Sequence, residues 1–378
     1  MPPRRMLVVV LSLLALLHLY IGLRLLPAMD LPPFGVGAGT LLLAVSTLLL
    51  PAGLLSSRFK RWRGADQLAW AGLLAMGFFS SLLVLTVLRD ALLLVLTLFN
   101  VTSHAIVRAS AIGVPLLALG VTVVGFFNAR RVARVVRVDV PIAGLPQALH
   151  GYSIVQISDI HVGPTIRRGY LDAIVTRVNA LQADAIAITG DLVDGSVKRL
   201  SPHTAPLARL AARDGTFFVT GNHEYYSGAE EWIAELRRLG LTVLLNQHVV
   251  CERGGETLMI AGVTDFTAHQ FHESHRSDPQ KAAAGASRSV SAKILLAHQP
   301  RSAPAAEAAG FDLQLSGHTH GGQFFPWNLF VPLQQPFTAG LHRLGQLWVY
   351  TSRGTGYWGP PKRFGAPSEI THVRLVAA

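Results

Sequence analysis

Four apolar stretches in the first third of the chain constrain its fold more than any other feature. Met6–Ala28, Val36–Leu55, Leu68–Leu88 and Ala105–Phe127 are each long enough to cross a bilayer as a helix. In hydrocarbon every backbone N–H and C=O needs a partner within the segment, so lone stretches of this kind fold as helices. His18 and Arg24 interrupt the first stretch only lightly, and Arg108 lies near one end of the fourth. Arg89-Asp90 breaks the pattern after the third, and the apolar Ala91–Phe99 beyond it is too short to cross by itself. The expectation is a membrane region over 1–128 with about four transmembrane helices. Arg4-Arg5 reads either as a twin-arginine or secretory signal or as the flank of a signal anchor. No small-x-small cleavage site follows and further spans come directly after, which favours the anchor.

Charge follows the same division. The chain carries +11 overall, of which +9 lies before residue 141 and only +2 beyond it. The high pI of 10.4 is therefore the mark of basic flanks around apolar spans. It is not a nucleic-acid footprint on the downstream half, and no specific nucleic acid is expected as a partner. With four crossings, Arg4-Arg5, then Arg58, Lys60, Arg61 and Arg63, then Arg130, Arg131, Arg134 and Arg137 fall on one side. The positive-inside rule puts that side, and the downstream half, in the cytoplasm of a cell inner-membrane, multi-pass protein. Export to the outer face is the alternative. A single cysteine, Cys251, excludes an intrachain disulfide framework and a Cys-built zinc site. It reads as a small buried side chain.

Residues 129–150 read as a basic linker turning into a first edge strand, and 151–378 as a domain of alternating strands and helices. Tyr152–Ile157, Ala185–Thr189, Thr216–Thr220, Thr257–Val263, Lys293–Ala297 and Asp312–Leu315 have strand character. Leu171, Ile174, Val175 and Val178 share one helical face within Gly169–Leu181, and Ala229–Leu239 is a helix closed by Gly240. The second of these strands, whose apolar run is Ala185–Ile188, ends abruptly in Thr-Gly-Asp. Desolvating an ionised carboxylate at the tip of a buried strand is costly unless something compensates, so Asp191 wants a cation.

Other strands end the same way. Asp159 and His161 follow one as D-I-H, and Asp194 lies three residues after Asp191. Asn222 and His223 stand in G-N-H-E, His298 in A-H-Q-P, and His318 and His320 in G-H-T-H-G-G. Sites in open α/β sheets form at the carboxyl ends of strands, so these ends can converge. Oxygen and imidazole donors without thiolate suit Mn, Fe or Zn, with Mg or Co also compatible.

In these blocks the sequence resembles the calcineurin-like metallophosphoesterase superfamily, whose ordered pattern is D-x-H, G-D, G-N-H-D/E, H and G-H-x-H. S-D-I-H-V-G, G-N-H-E-Y-Y-S-G, A-H-Q-P and S-G-H-T-H-G-G-Q look like its bacterial membrane-anchored branch. The resemblance runs from about Gly151 to Leu375 and implies a four-layer α/β domain, two facing mixed β-sheets flanked by helices. It implies two divalent metal ions, one held by Asp159, His161, Asp191 and His320. The other would take Asp191, Asn222, His298 and His318, with Asp191 bridging. It further implies attack on phosphorus by a metal-bridging hydroxide, with His223 protonating the leaving oxygen and Asp194 orienting His223. Glu224 stands where many relatives have Asp.

Three further features carry paired readings. Phe324, Phe325, Trp327 and Phe330 in the proline-broken Gly321–Phe337 form either core packing or an apolar lip that admits a lipid tail. Arg353 pairs with a substrate phosphate or with a structural carboxylate. His269, His272 and His275 read as a mobile surface loop, since nothing in the sequence fixes them. The function implied is a membrane-anchored phosphoesterase acting on a phosphodiester or pyrophosphate at the lipid bilayer. A lipid-linked substrate of the UDP-diacylglucosamine kind fits this reading. A nucleotide phosphodiesterase or nuclease on the same scaffold is one alternative. A transporter or sensor whose downstream domain only binds metal is another.

Overall fold

Helices α1 (Arg4–Leu25), α2 (Pro33–Leu54), α3 (Ala65–Leu98) and α4 (His104–Arg130) open the chain, each long and apolar enough to cross a membrane. The computed structural model describes residues 4–56, 64–286 and 290–378. Arg58, Lys60, Arg61 and Arg63, counted above for orientation, lie outside them. The chain divides into two units: Met1–Phe127 with Gly359–Lys362, and Asn128–Trp358 with Arg363–Ala378.

In the first unit α2 and α3 cross at Gly53 and Gly72, where a Cβ on either would run into the other's backbone. Such small-residue contacts let apolar helices pack without a hydrophobic driving force between them. One expectation fails here. Arg89-Asp90 does not end the third helix, because α3 runs on without a break for 34 residues. The pair is satisfied from neighbouring helices. Arg89 Nε donates to Ser110 Oγ at 3.0 Å and Nη2 to the Val107 carbonyl at 3.0 Å, while Asp90 accepts from Tyr20 and Arg24, each at 2.7 Å. Ala91–Leu98 thus extends an existing helix instead of forming a separate short one. Lys362, from the tetrapeptide assigned to this unit, donates from Nζ to the Gly77 carbonyl at 2.8 Å and also to Ser81 Oγ.

The second unit holds two six-stranded mixed sheets. One orders β1 (Arg134–Ile142), β12 (Glu369–Ala377), β2 (Ser153–Ile157), β3 (Ala185–Ile188), β4 (Thr216–Phe218) and β5 (Thr242–Val243). The other orders β10 (Gly340–Leu344), β11 (Leu347–Thr351), β9 (Leu313–Ser316), β8 (Ala292–Leu296), β7 (Glu256–Gly262) and β6 (Gln247–Arg253). In the first sheet β2, β3, β4 and β5 are parallel, and in the second β7, β8 and β9 are. β1 is an edge strand.

The alternation of side chains explains the layering. Ile154, Ala185, Ala187 and Phe217 point from the first sheet into one core with Leu258, Ile260, Ile294, Leu296 and Leu315 from the second. The opposite face of the first sheet, with Val155, Ile157, Ile186 and Ile188, packs on α5 (Arg168–Asn179) and α8 (Ala229–Arg238) through Leu171, Ile174, Val178, Trp232 and Leu236. The outer face of the second sheet, with Met259, Ala261 and Leu295, is covered by a smaller cluster that includes Ala303 and Ala306. Strands buried on both faces read as continuous apolar runs, which is what Ala185–Ile188 is. Cys251 is only half-buried on β6, not the buried side chain expected.

Candidate metal centre

Every expected ligand lies just beyond the carboxyl end of a parallel strand, and backbone bonds pull several of those segments together. Asp159 N donates to the Gly190 carbonyl at 3.0 Å and His161 N to the Asp191 carbonyl at 3.1 Å, joining the turns after β2 and β3. Gly317 N donates to the His298 carbonyl at 2.9 Å, joining those after β8 and β9. A side chain would not fit at Gly317, where a Cβ would collide with Ser158 Oγ and Asp159 Oδ2, nor at Gly221, where it would meet the Asp191 carboxylate.

Five of the candidate ligands sit in the left-handed region: Asp159 (φ 53°), His161 (56°), Asp191 (50°), His318 (69°) and His320 (52°). Non-glycine residues rarely adopt that conformation, and it costs roughly 1–3 kcal/mol each where surroundings impose it. Packing gives no return for this strain. It aims five side chains into one space.

There Asp159, His161 and His320 form one group of potential metal donors, and Asp191, His298 and His318 another, each with its donor atoms within 4.8 Å of one another. Nε2 of His161 and Nε2 of His320 are 3.1 Å apart, and Nε2 of His298 is 3.2 Å from Nδ1 of His318. Asp191 stands between the groups, with Oδ2 at 3.2 Å from His298 Nε2 and 3.9 Å from His161 Nε2. Ring orientation is set by the second nitrogen. His298 Nδ1 donates to the Thr189 carbonyl at 2.7 Å, which leaves Nε2 facing Asp191. Asn222 Oδ1 is buried and has no hydrogen-bond partner. A buried amide oxygen without a donor is costly, and a cation satisfies it. The donor set therefore fits divalent metal.

Asp194 joins two histidines: Oδ1 accepts from His223 Nδ1 at 2.6 Å and from His161 Nδ1 at 3.1 Å. Burial opposes its ionisation, but the two imidazoles outweigh that and hold its carboxyl well below the usual range. Burial alone would lower His223; the bond to Asp194 and the charge of Asp191 override it and raise the imidazole to about 9. The spacing of Asp194 alone did not disclose that it serves both rings. Burial and neighbouring His298 push His318 down to about 3, so the ring stays neutral and keeps one nitrogen free as a donor to a metal.

Glu224 is fully buried, and its carboxylate accepts from Gly221 N at 2.6 Å, Leu192 N at 2.8 Å and Asp191 N at 3.0 Å. It fastens the turn that carries Asp191 to the start of the short helix α7 (Asn222–Ser227). Arg353 pairs with the structural carboxylate of Glu369 at 3.0 Å. The histidine loop lies at the surface but is anchored at one point: His275 Nδ1 is 2.9 Å from the Tyr225 hydroxyl and Nε2 3.2 Å from Glu230. Arg363 escaped sequence reading altogether. Its buried guanidinium donates to the carbonyls of His320 at 2.8 Å and Arg353 at 2.7 Å, and Nη2 lies 3.0 Å from His320 Nδ1. Its partners are mostly carbonyl oxygens, which no sequence pattern marks. Of the aromatic segment, Phe324 is buried while Phe325, Trp327 and Phe330 are exposed.

A four-layer unit with histidines, aspartates and one asparagine gathered at its strand ends is a metallophosphoesterase-type domain. The calcineurin-like phosphoesterase family matches residues 152–322, and the chain belongs to that family. It is 40% identical over 274 residues to a "Transmembrane protein with metallophosphoesterase domain" of Danio rerio, covering 69% of this chain. To the protein of the same description from Bos taurus it is 43% identical, covering 70% of this chain. The matches span 62% and 63% of those two relatives' own length. An uncharacterised metallophosphoesterase of Aquifex aeolicus is 33% identical over 59% of this chain and 84% of its own length.

Proposed function

We propose that the chain is a membrane-anchored, metal-dependent phosphoesterase that cleaves a phosphodiester or pyrophosphate bond in a lipid-linked substrate. The observation that carries this reading is the pair of donor groups, one of which includes Asp191, together with the buried and unpartnered Oδ1 of Asn222. Asp159, His161, Asp191 and His320 would hold one divalent ion, and Asp191, Asn222, His298 and His318 a second. Bound there, two such ions supply Lewis acidity and an activated water for in-line displacement at phosphorus. Mn, Fe or Zn suits the donors best.

His223 does the proton work. Its Nδ1 is tied to Asp194, so Nε2 is turned toward Asp191, 3.9 Å from Oδ2. Held by Asp194, the protonated imidazole would hand its Nε2 proton to the leaving oxygen. Asp194 holds the ring in that orientation. The lipid-linked substrate is supported by the four membrane-capable helices and by the exposed Phe325, Trp327 and Phe330 that follow the last ligand. Basic flanks support a cytoplasmic catalytic unit at the inner membrane.

The test is the full-length protein reconstituted with metal and offered phosphomonoesters, phosphodiesters, nucleotides and lipid pyrophosphates. Hydrolysis of a lipid-linked phosphoester supports the proposal. Full activity on soluble nucleotides with none on any lipid substrate overturns its lipid part, and no hydrolysis of any member overturns the whole.

A further inference from the structure

We propose that Tyr226 and Trp358 clamp an alkyl or acyl chain on the leaving-group side of the site. This rests on the reading of His223 as the group that protonates the leaving oxygen. Whatever packs on His223 then borders the departing part of the substrate.

Two aromatic rings do so, from distant parts of the chain. The His223 ring lies 5.2 Å from Tyr226 at 67° and 5.5 Å from Trp358 at 74°, centroid to centroid. Neither is covered: Tyr226 is 63% exposed and Trp358 53%. Leaving such rings wet forfeits the gain from burying apolar surface, and exposed apolar patches mark ligand or partner sites.

The clamp is ordered nonetheless. Trp358 N donates to Gln323 Oε1 at 2.9 Å, and Gln323 Nε2 returns a bond to the Trp358 carbonyl at 2.8 Å. Gln323 is itself left-handed (φ 59°) and stands three residues after His320, so the turn that ends the ligand series also sets Trp358. On the other flank Phe271, 44% exposed, packs on Tyr226 at 5.6 Å.

A chain fits this better than a nucleoside base. Two more exposed rings belong to neighbouring turns: Phe325 stands two residues after Gln323, its N donates to the Phe364 carbonyl at 3.1 Å, and both side chains are at least a third exposed. Phenyl and indole rings match methylenes, whereas a base also asks for donors and acceptors at its edge. The four membrane-capable helices put the chain where alkyl and acyl groups are concentrated.

The experiment uses the metal-reconstituted full-length protein in one fixed detergent. Methyl, butyl, hexyl and octyl phosphate are measured as inhibitors of bis(p-nitrophenyl) phosphate hydrolysis, with calorimetric binding of the same series as a second readout. Wild type should bind about two- to fourfold more tightly per added methylene. Tyr226→Ser and Trp358→Ser should flatten that dependence, and Tyr226→Phe and Trp358→Phe should keep it. The readout is a ratio within each variant, so a change in turnover does not disturb it. A flat series in wild type, or an unchanged slope in both serine variants, overturns the clamp. So does AMP binding more tightly than octyl phosphate and losing that advantage in the serine variants. Absent hydrolysis with a chain-length slope in calorimetry overturns the proposed reaction and leaves the clamp standing; hydrolysis with flat binding does the reverse.

Discussion

Nδ1 of His223 donates to Oδ1 of Asp194 at 2.6 Å, and the same oxygen also accepts from His161 at 3.1 Å. One carboxylate oxygen thus serves a candidate metal ligand and the candidate acid together. Asp194→Asn removes the charge that both rings lean on. Turnover should fall by about 10–100-fold, the usual effect of losing a carboxylate behind an imidazole. Steady-state kinetics with metal analysis on the same preparation checks this, and unchanged turnover would take Asp194 out of the mechanism.

Asp191→Asn should lower occupancy at both metal positions, because Asp191 stands between the two donor groups. His298→Ala should empty mainly one, since His298 belongs to a single group. Elemental analysis after purification separates the cases. Two retained equivalents in Asp191→Asn contradict the shared position.

Glu224→Ala leaves three buried backbone N–H groups without an acceptor. Each orphaned donor costs about 1–3 kcal/mol, so the second unit should melt well below wild type. Glu224→Gln keeps an acceptor and should lose less. Differential scanning calorimetry on full-length protein reads both, and equal melting of wild type and Glu224→Ala shows that the carboxylate is dispensable.

Replacing Phe325 and Trp327 by Ser should weaken hydrolysis of a lipid substrate in bilayers by more than hydrolysis of a small chromogenic diester. Both rings are about half exposed, so stability should change little. Rates on the two substrates, compared within one variant, decide it. Equal losses make these aromatics packing alone.

The proposed cytoplasmic placement of the catalytic unit, read from loop charge, has a direct test. A reporter active only in the cytoplasm, fused after Ala378, should be bright, and a periplasm-active one dark. The opposite pattern means an exported catalytic unit.

Much of this arrangement was legible in the order of residues alone. Helices in hydrocarbon are dictated by length and apolarity, so the membrane-capable segments could be marked without knowing their neighbours. Doubly buried strands announce themselves as short apolar runs, and the ligands follow each run within a few residues, as Asp191 follows Ile188. Those are local facts, and periodicity encodes them. What only the tertiary structure decided is which distant group answers each charge. Arg89-Asp90 looked like a helix break until Ser110, Tyr20 and Arg24 satisfied it from other helices. The structural carboxylate for Arg353 had no identity until Glu369 came to 3.0 Å, and Arg363 had no partner in view until the carbonyls of His320 and Arg353 closed around it. A sequence records where a polar group must be buried. The partner that makes burial tolerable is chosen by the chain's path in space, because desolvation is local whereas hydrogen bonds join residues dozens to hundreds of positions apart.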